Sequence, residues 1–314
     1  MRKPKAFFLP SILSRRRRLI EPGRVFQLLW VLLFSVISSD ASPANSAEGE
    51  GDARPLVHWY SFNYPPAFIM DGPFKAQGYQ DQILDYFEER LVDFRIRRHE
   101  TALARVIANV RYGEAACASA LAKTEDRARF MVFSEPILTS LPLRLVVNST
   151  RSDELKQLVN EHGRIGLPQL AALEGLSGAA VKDRSYGPHI DPWMHVAREK
   201  GDLHVAARSE LAFLMLARGR VDYTFGYPDE VGYFMRLHEG KDMMDTLTTL
   251  PLEEETILVE SYIGCSVDPV GQQVINAVNQ IMQDKQHDNA LLVQPYLQWI
   301  DAAAQHDLQT ALQK

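Results

Sequence analysis

From residue 55 onward, short apolar strands alternate with amphipathic helical segments, and the alternation runs through twice. Residues 56–60 read as an apolar strand, broken by Tyr64-Pro65-Pro66 because proline cannot continue a ladder. Tyr79, Ile83, Tyr86, Phe87 and Leu91 recur at helical spacing. Residues 94–98 alternate as a strand, Thr101 caps a helix running to about Val110, and 115–121 and 130–133 are further strands. A β-α-β-α-β order implies a mainly parallel sheet covered by helices. Past a strongly apolar strand at 143–147 the pattern restarts. Ser152 caps a helix to about Asn160, followed by strand 179–181, helix 188–199, strand 203–206, helix 209–217 ended by Gly219, strand 221–225 and helix 229–237.

A strand led by 256–259 and terminal helices at 272–282 and 289–304 are surplus to the second set. The economical explanation is a two-lobed α/β chain. It builds most of lobe 1 over 48–142, lobe 2 over 143–252, and returns to lobe 1 over 253–314. Two crossings make a two-stranded hinge. The cleft between the lobes is a natural ligand site, because helix N-termini and strand ends from both sides face it.

Residues 1–47 are set apart as a leader. Four consecutive arginines, Arg15 to Arg18, precede an apolar run at 25–37, which has signal-peptide length and falls short of the roughly 20 residues that span a bilayer. Small residues at 38–47 offer cleavage after Ala41 or near Ala47, and an uncleaved anchor is the competing reading. No cysteine precedes Cys117, so a lipid-anchored N-terminal cysteine is not expected. Beyond the leader, 26 Lys or Arg stand against 38 Asp or Glu, a net charge of −12. Such an acidic body argues against nucleic acid or an anionic membrane as partner. Cys117 and Cys265 would meet an oxidising compartment after export, either as a disulfide or as two buried thiols.

The stretch 123–136 carries the chemistry. Thr124 and Arg127 stand three apart at a helix start, and Phe133-Ser134-Glu135-Pro136 closes a short apolar run. An arginine at such a junction is a fork for a small carboxylate, held by two parallel charge-assisted hydrogen bonds. The competing reading is a capped helix with a solvated arginine. There is no nucleophile elbow, His-Glu-x-x-His, phosphate loop or Cys-x-x-Cys, and the nine histidines are scattered, so no cofactor or metal is expected.

Over about 55–299 the chain resembles the family 3 extracellular solute-binding proteins of bacteria, which include the polar amino-acid receptors of ABC importers. The landmarks are Tyr64-Pro65-Pro66-Ala67-Phe68, Asp71-Gly72, Gly78-Tyr79, Thr124-Glu125-Asp126-Arg127, Phe133-Ser134-Glu135-Pro136 and Gly219-Arg220-Val221-Asp222. The resemblance implies a periplasmic Venus flytrap that closes on a small solute, acting as a monomer. It implies that Arg127 grips a ligand carboxylate with Thr124 beside it. Ser119 would contact ligand polar groups, Tyr64 would stack on the ligand, and Ser185 and Tyr186 would present a helix start from lobe 2. It also implies that the strand carrying Cys265 returns beside the strand carrying Cys117, which favours a disulfide. Two departures stand out. Ala120 and Ala122 replace frequent serines, and Tyr227 stands where the amino-acid receptors place an aspartate for the α-ammonium, with Asp229 and Glu230 as nearby substitutes.

The expected function is therefore binding of a carboxylate-bearing solute, an amino acid or derivative among the options, for delivery to an ABC permease. Two alternatives stand beside it. One is a dehydratase-like enzyme on the same scaffold, with Glu135 as its candidate acid or base. The other is a sensing module that signals through a separate membrane partner.

Overall fold

The computed structural model describes residues 52–150, 155, 157–239, 247–284 and 289–313. The leader and the residues after it up to 51, and residues 152–154 and 156 of the helix read from Ser152, lie outside them.

The first sheet contains β1 (Leu56–Ser61), β2 (Arg95–Glu100), β3 (Ala116–Leu121), β4 (Met131–Phe133), β5 (Leu138–Ser140) and β11 (Val259–Ser266). Its order is β2-β1-β3-β11-β4, with β5 also paired to β11. The β2-β1-β3 part is parallel and β11 runs antiparallel to its neighbours. The period-2 alternation of β1 feeds two cores. Val57 and Trp59 pack with Ile83 and Phe87 of α1 (Tyr79–Glu88), while Ala116 and Ala118 of β3 pack with Val106 and Val110 of α2 (Leu103–Tyr112).

The second sheet has the order β10-β6-β9-β7-β8. It is built from β6 (Arg144–Asn148), β7 (Gly178–Val181), β8 (Leu203–Ala206), β9 (Tyr223–Gly226) and β10 (Leu247–Pro251). The apolar run of β6 reflects burial on both faces. Leu145 and Val147 meet Leu170 of α4 (Leu167–Ala171) and Met194 of α5 (Ile190–Glu199). Val146 meets Phe213 of α6 (Ser209–Ala217) and Phe234 of α7 (Pro228–Leu237). The chain thus leaves the first sheet after β5, completes the second, and returns as β11.

Helix α8 (Pro269–Gln283) follows β11, and its N-cap Asp268 accepts hydrogen bonds from Val270 and Gly271 backbone N–H, both at 2.9 Å. Its true start lies three residues ahead of the sequence reading because proline suits the first helical turn. The single terminal helix read over 289–304 is instead two, α9 (Asn289–Leu297) and α10 (Ala302–Leu312). The Asp301 carboxylate accepts from the Ala304 N–H at 2.8 Å and starts the second. Strand β11 also begins later than the 256–259 segment read as its lead, so Cys265 lies within the strand and not just past it. There it pairs with Cys117 across the ladder, Cα to Cα 4.0 Å, and the two are disulfide-bonded.

Helix α7 of the second lobe seats on the first. A Cβ at Gly232 would lie 1.8 Å from the Trp299 carbonyl oxygen, so only glycine permits this approach. The Arg236 guanidinium lies 4.5 Å over the Trp299 ring, and Tyr233 packs on Trp299 and Phe74. Behind the crossings, buried Arg144 pairs with Asp307 of α10 at 2.8 Å. These contacts fix the direction in which the N-terminus of α7 points.

Candidate functional site

A cleft of about 930 Å³ opens between the two lobes. From the first lobe, the 64–68 loop is closed by reciprocal backbone hydrogen bonds between Tyr64 and Phe68, both 3.0 Å, and this sets the Tyr64 ring on the cleft wall, stacked on Phe62. The short helix α3 (Glu125–Ala128) starts at Thr124, whose hydroxyl accepts the Arg127 N–H at 3.3 Å. Half-buried Arg127 then lines the cleft, donating from Nη1 to the Ala122 carbonyl at 2.9 Å. Desolvation by the surrounding protein pulls its pKa below the ordinary arginine value. Among the described residues no carboxylate lies within ion-pair distance of it. This cation has a fork open to the cleft.

The second lobe presents a different arginine. Arg184 donates from Nη1 and Nη2 to Glu230 Oε1 and Oε2 at 2.8 and 2.9 Å. Ser209 bonds both partners, and the Tyr227 N–H donates to Glu230 Oε2 at 3.1 Å. Burial alone would lower the Arg184 pKa, but the Glu230 carboxylate outweighs it and holds the guanidinium firmly protonated. This pair is closed within the lobe. Glu230 is the third helical residue of α7 and reaches back to the N-cap Tyr227. That capping box was hidden in the sequence because tyrosine is not a capping residue type.

Of the residues expected from the sequence, Tyr64, Arg127, Ser185 and Tyr227 come together on the cleft wall. Ser119, Thr124 and Tyr186 do not line it. Ser119 is 1% exposed, and its hydroxyl has no hydrogen-bond partner among the described residues. The neighbours that do reach the wall are Ala120, held at φ +59°, and Ala122. Tyr186 is buried in the lobe 2 core, and its hydroxyl accepts the Val181 N–H at 2.8 Å. Ser185 reaches the wall, but its hydroxyl donates to Asp191 Oδ2 and the Tyr186 N–H donates to Asp191 Oδ1, both at 2.7 Å. Asp191 therefore occupies the turn that was expected to receive a carboxylate. Phe62, Arg208 and Glu210 line the cleft too and were not singled out from the sequence, and Asp71 of the Asp71-Gly72 landmark lines it without having been given a role. Among the described residues, no group of three or more His, Cys, Asp or Glu could hold a metal ion.

Asp229 sits beside Glu230 but is buried, with a side-chain hydrogen bond to Tyr79 of the first lobe. Burial, reinforced by the Glu230 charge, raises its pKa to about 7. Its folded pKa thus exceeds the ordinary aspartate value of 3.8, so between about pH 4 and 7 the folded state holds a proton that the unfolded state has lost. The stability this group contributes is present below pH 4 and is lost as pH rises through 7. Urea unfolding from pH 4.5 to 8 should show Asp229→Asn removing this downward slope and gaining on the parent toward pH 8. Parallel pH profiles for the two proteins would refute the assignment.

Solved structures share this architecture. A probable amino-acid ABC transporter extracellular-binding protein of Bacillus subtilis aligns at TM-score 0.55 and 13% identity, covering 79% of this chain and 99% of that one. Substrate-binding domain 2 of Lactococcus lactis GlnP, in an open conformation, aligns at 0.53 and 14%, covering 80% and 98%. The periplasmic VFT2 domain of Bordetella pertussis BvgS aligns at 0.50 and 18%, covering 78% and 94%. The fold is the Venus flytrap of periplasmic binding proteins. No protein-family model matches the chain, and no curated sequence matches it significantly. In this flytrap, then, the site must be argued from its own residues.

Proposed function

We propose that the chain is a periplasmic solute-binding protein, exported by the leader at 1–47, with lobes divided at 142/143 and 252/253. The cleft closes on a small carboxylate-bearing solute and presents it, from a monomer, to an ABC permease. One observation carries this reading: Arg127 is the half-buried cleft guanidinium without a carboxylate of its own, whereas Arg184 is already saturated by Glu230. Tyr64 and Tyr227 flank the ligand from opposite lobes. No catalytic residue is assigned, because Glu135 is exposed and does not line the cleft.

A second reading, a ligand-sensing module for a membrane partner, is favoured by the C-terminal segment. It touches lobe 2 through Trp299 and Asp307, so any change in lobe angle acts on it.

A thermal-shift screen of small carboxylates tests the binding role. Arg127→Ala should weaken binding by roughly tenfold to a hundredfold, the worth of losing a charge-assisted fork. The unliganded melting temperature should barely move, since Arg127 makes a single side-chain hydrogen bond to the protein. An unchanged ligand-induced shift in the variant would remove Arg127 from the site, and turnover of a bound acid would favour the enzyme.

A further inference from the structure

The cleft is chemically lopsided. Its volume is about 930 Å³. Around Arg127 the first lobe offers rings and methyls, with Phe62, Tyr64, Leu103, Ala120 and Ala122 on the wall. The strand that could supply a hydroxyl turns Ser119 into the protein, and Ala120 and Ala122 beyond it reach the wall. Facing them, the second lobe contributes Val181, Phe213, Tyr227, Phe234 and Leu237.

The acidic groups near the cleft are largely committed elsewhere. Both Glu230 oxygens are filled by Arg184, Ser209 and the Tyr227 N–H. Asp229 is buried beside Tyr79 and lines a smaller adjoining cavity that shares Tyr64, Ala120, Ala122 and Tyr227 with the cleft. Glu210 pairs with Arg208 at 3.1 Å. Asp71 is exposed at the rim. A ligand ammonium drawn in beside Arg127 would be desolvated without a free buried carboxylate to pair with it, and burying an unpaired charge is costly.

We infer that the cleft selects monocarboxylates with a large apolar or aromatic body and no α-ammonium, the carboxylate on Arg127 and the body between the two apolar walls. This rests on the carboxylate-binding role of Arg127 proposed above and adds the ligand class. The body supplies the affinity by removing apolar area from water, and Arg127, the lining arginine without a carboxylate partner among the described residues, fixes its orientation.

Matched pairs isolate the ammonium. Isothermal titration should compare 3-phenylpropionate with L-phenylalanine and indole-3-propionate with L-tryptophan, with L-glutamate and L-glutamine as small polar amino acids. The expected result is at least about tenfold tighter binding of each deaminated acid than of its amino acid, because the latter buries an unpaired polar group. Arg127→Ala should weaken binding of both acids by roughly tenfold to a hundredfold, and Arg127→Lys should restore part of it by returning the charge without the fork. Circular dichroism checks that each variant is folded. Tighter binding of the amino acids, or of L-glutamate or L-glutamine over both aromatic acids, overturns the ligand class while leaving the carboxylate-binding role intact. Binding by none of the six compounds, or undiminished binding in folded Arg127→Ala, overturns that role and the ligand class with it.

Discussion

Unfolding of the double variant Cys117→Ala/Cys265→Ala should occur with about 4 kcal/mol less free energy than that of the oxidised parent, and roughly 10 °C lower. The bond ties residues 148 apart in sequence, so it encloses the whole second sheet and both crossings in one loop. Cross-linking so long a loop removes a large part of the conformational freedom of the unfolded chain. In the folded chain both cysteines are fully buried, on strands already paired at that register, so the folded state needs little rearrangement without the bond. The effect should therefore appear as a global loss of stability with the fold retained. Three samples separate the causes by chemical denaturation: the oxidised parent, the reduced parent and the double variant. The reduced parent should fall beside the variant. A difference of less than about 1 kcal/mol between oxidised and reduced parent would show that the cross-link constrains the unfolded chain far less than its span implies. The cleft residues are not bonded to either cysteine, so carboxylate binding by the folded variant should persist.

The two-lobed plan was legible because it rests on periodicity. The apolar runs of β1 and β6 mark strands directly, and helical spacing from Tyr79 to Phe87 marks α1. The strand β10, by contrast, is a Thr-rich segment whose pairing with β6 is decided by tertiary contacts. The division between α9 and α10 depends on one aspartate acting as a cap, which a polar stretch does not reveal before its partners are known. The site was legible in type and only partly in place. Arg127 and Tyr64 follow from a short motif and a proline loop, both local. The fates of Ser185 and Tyr186 turn on Asp191, and the fate of Arg184 on Glu230, 46 residues away in sequence. Which arginine stays open to a ligand is a property of three-dimensional pairing.

That pairing sets up the other large effect. Glu230→Gln should destabilise the protein by about 3 kcal/mol, within the cost of breaking a buried ion pair from one side. The two side chains are 17% and 7% exposed, so water cannot replace what the carboxylate supplied. Glutamine keeps the volume and one acceptor, yet it leaves the Arg184 charge uncompensated among Ser209, Tyr186 and Tyr227. It also removes negative charge from the first turn of α7, where the helix dipole favours it. If the cost is the stranded charge, removing that charge as well should recover much of it. The double variant Arg184→Met/Glu230→Gln should be more stable than Glu230→Gln alone, with a favourable coupling of at least about 1 kcal/mol in a double-mutant cycle. Equal or additive losses would show that the pair matters only as packing. Ligand binding gives an independent readout, because Arg184 lies on the cleft wall. Freed of Glu230, it would place a second open cation opposite Arg127, so Glu230→Gln should bind an aromatic dicarboxylate more tightly than the parent while the double variant should not. The single carboxylate preference of the parent cleft would then be traced to one internal salt bridge that keeps the second guanidinium out of reach.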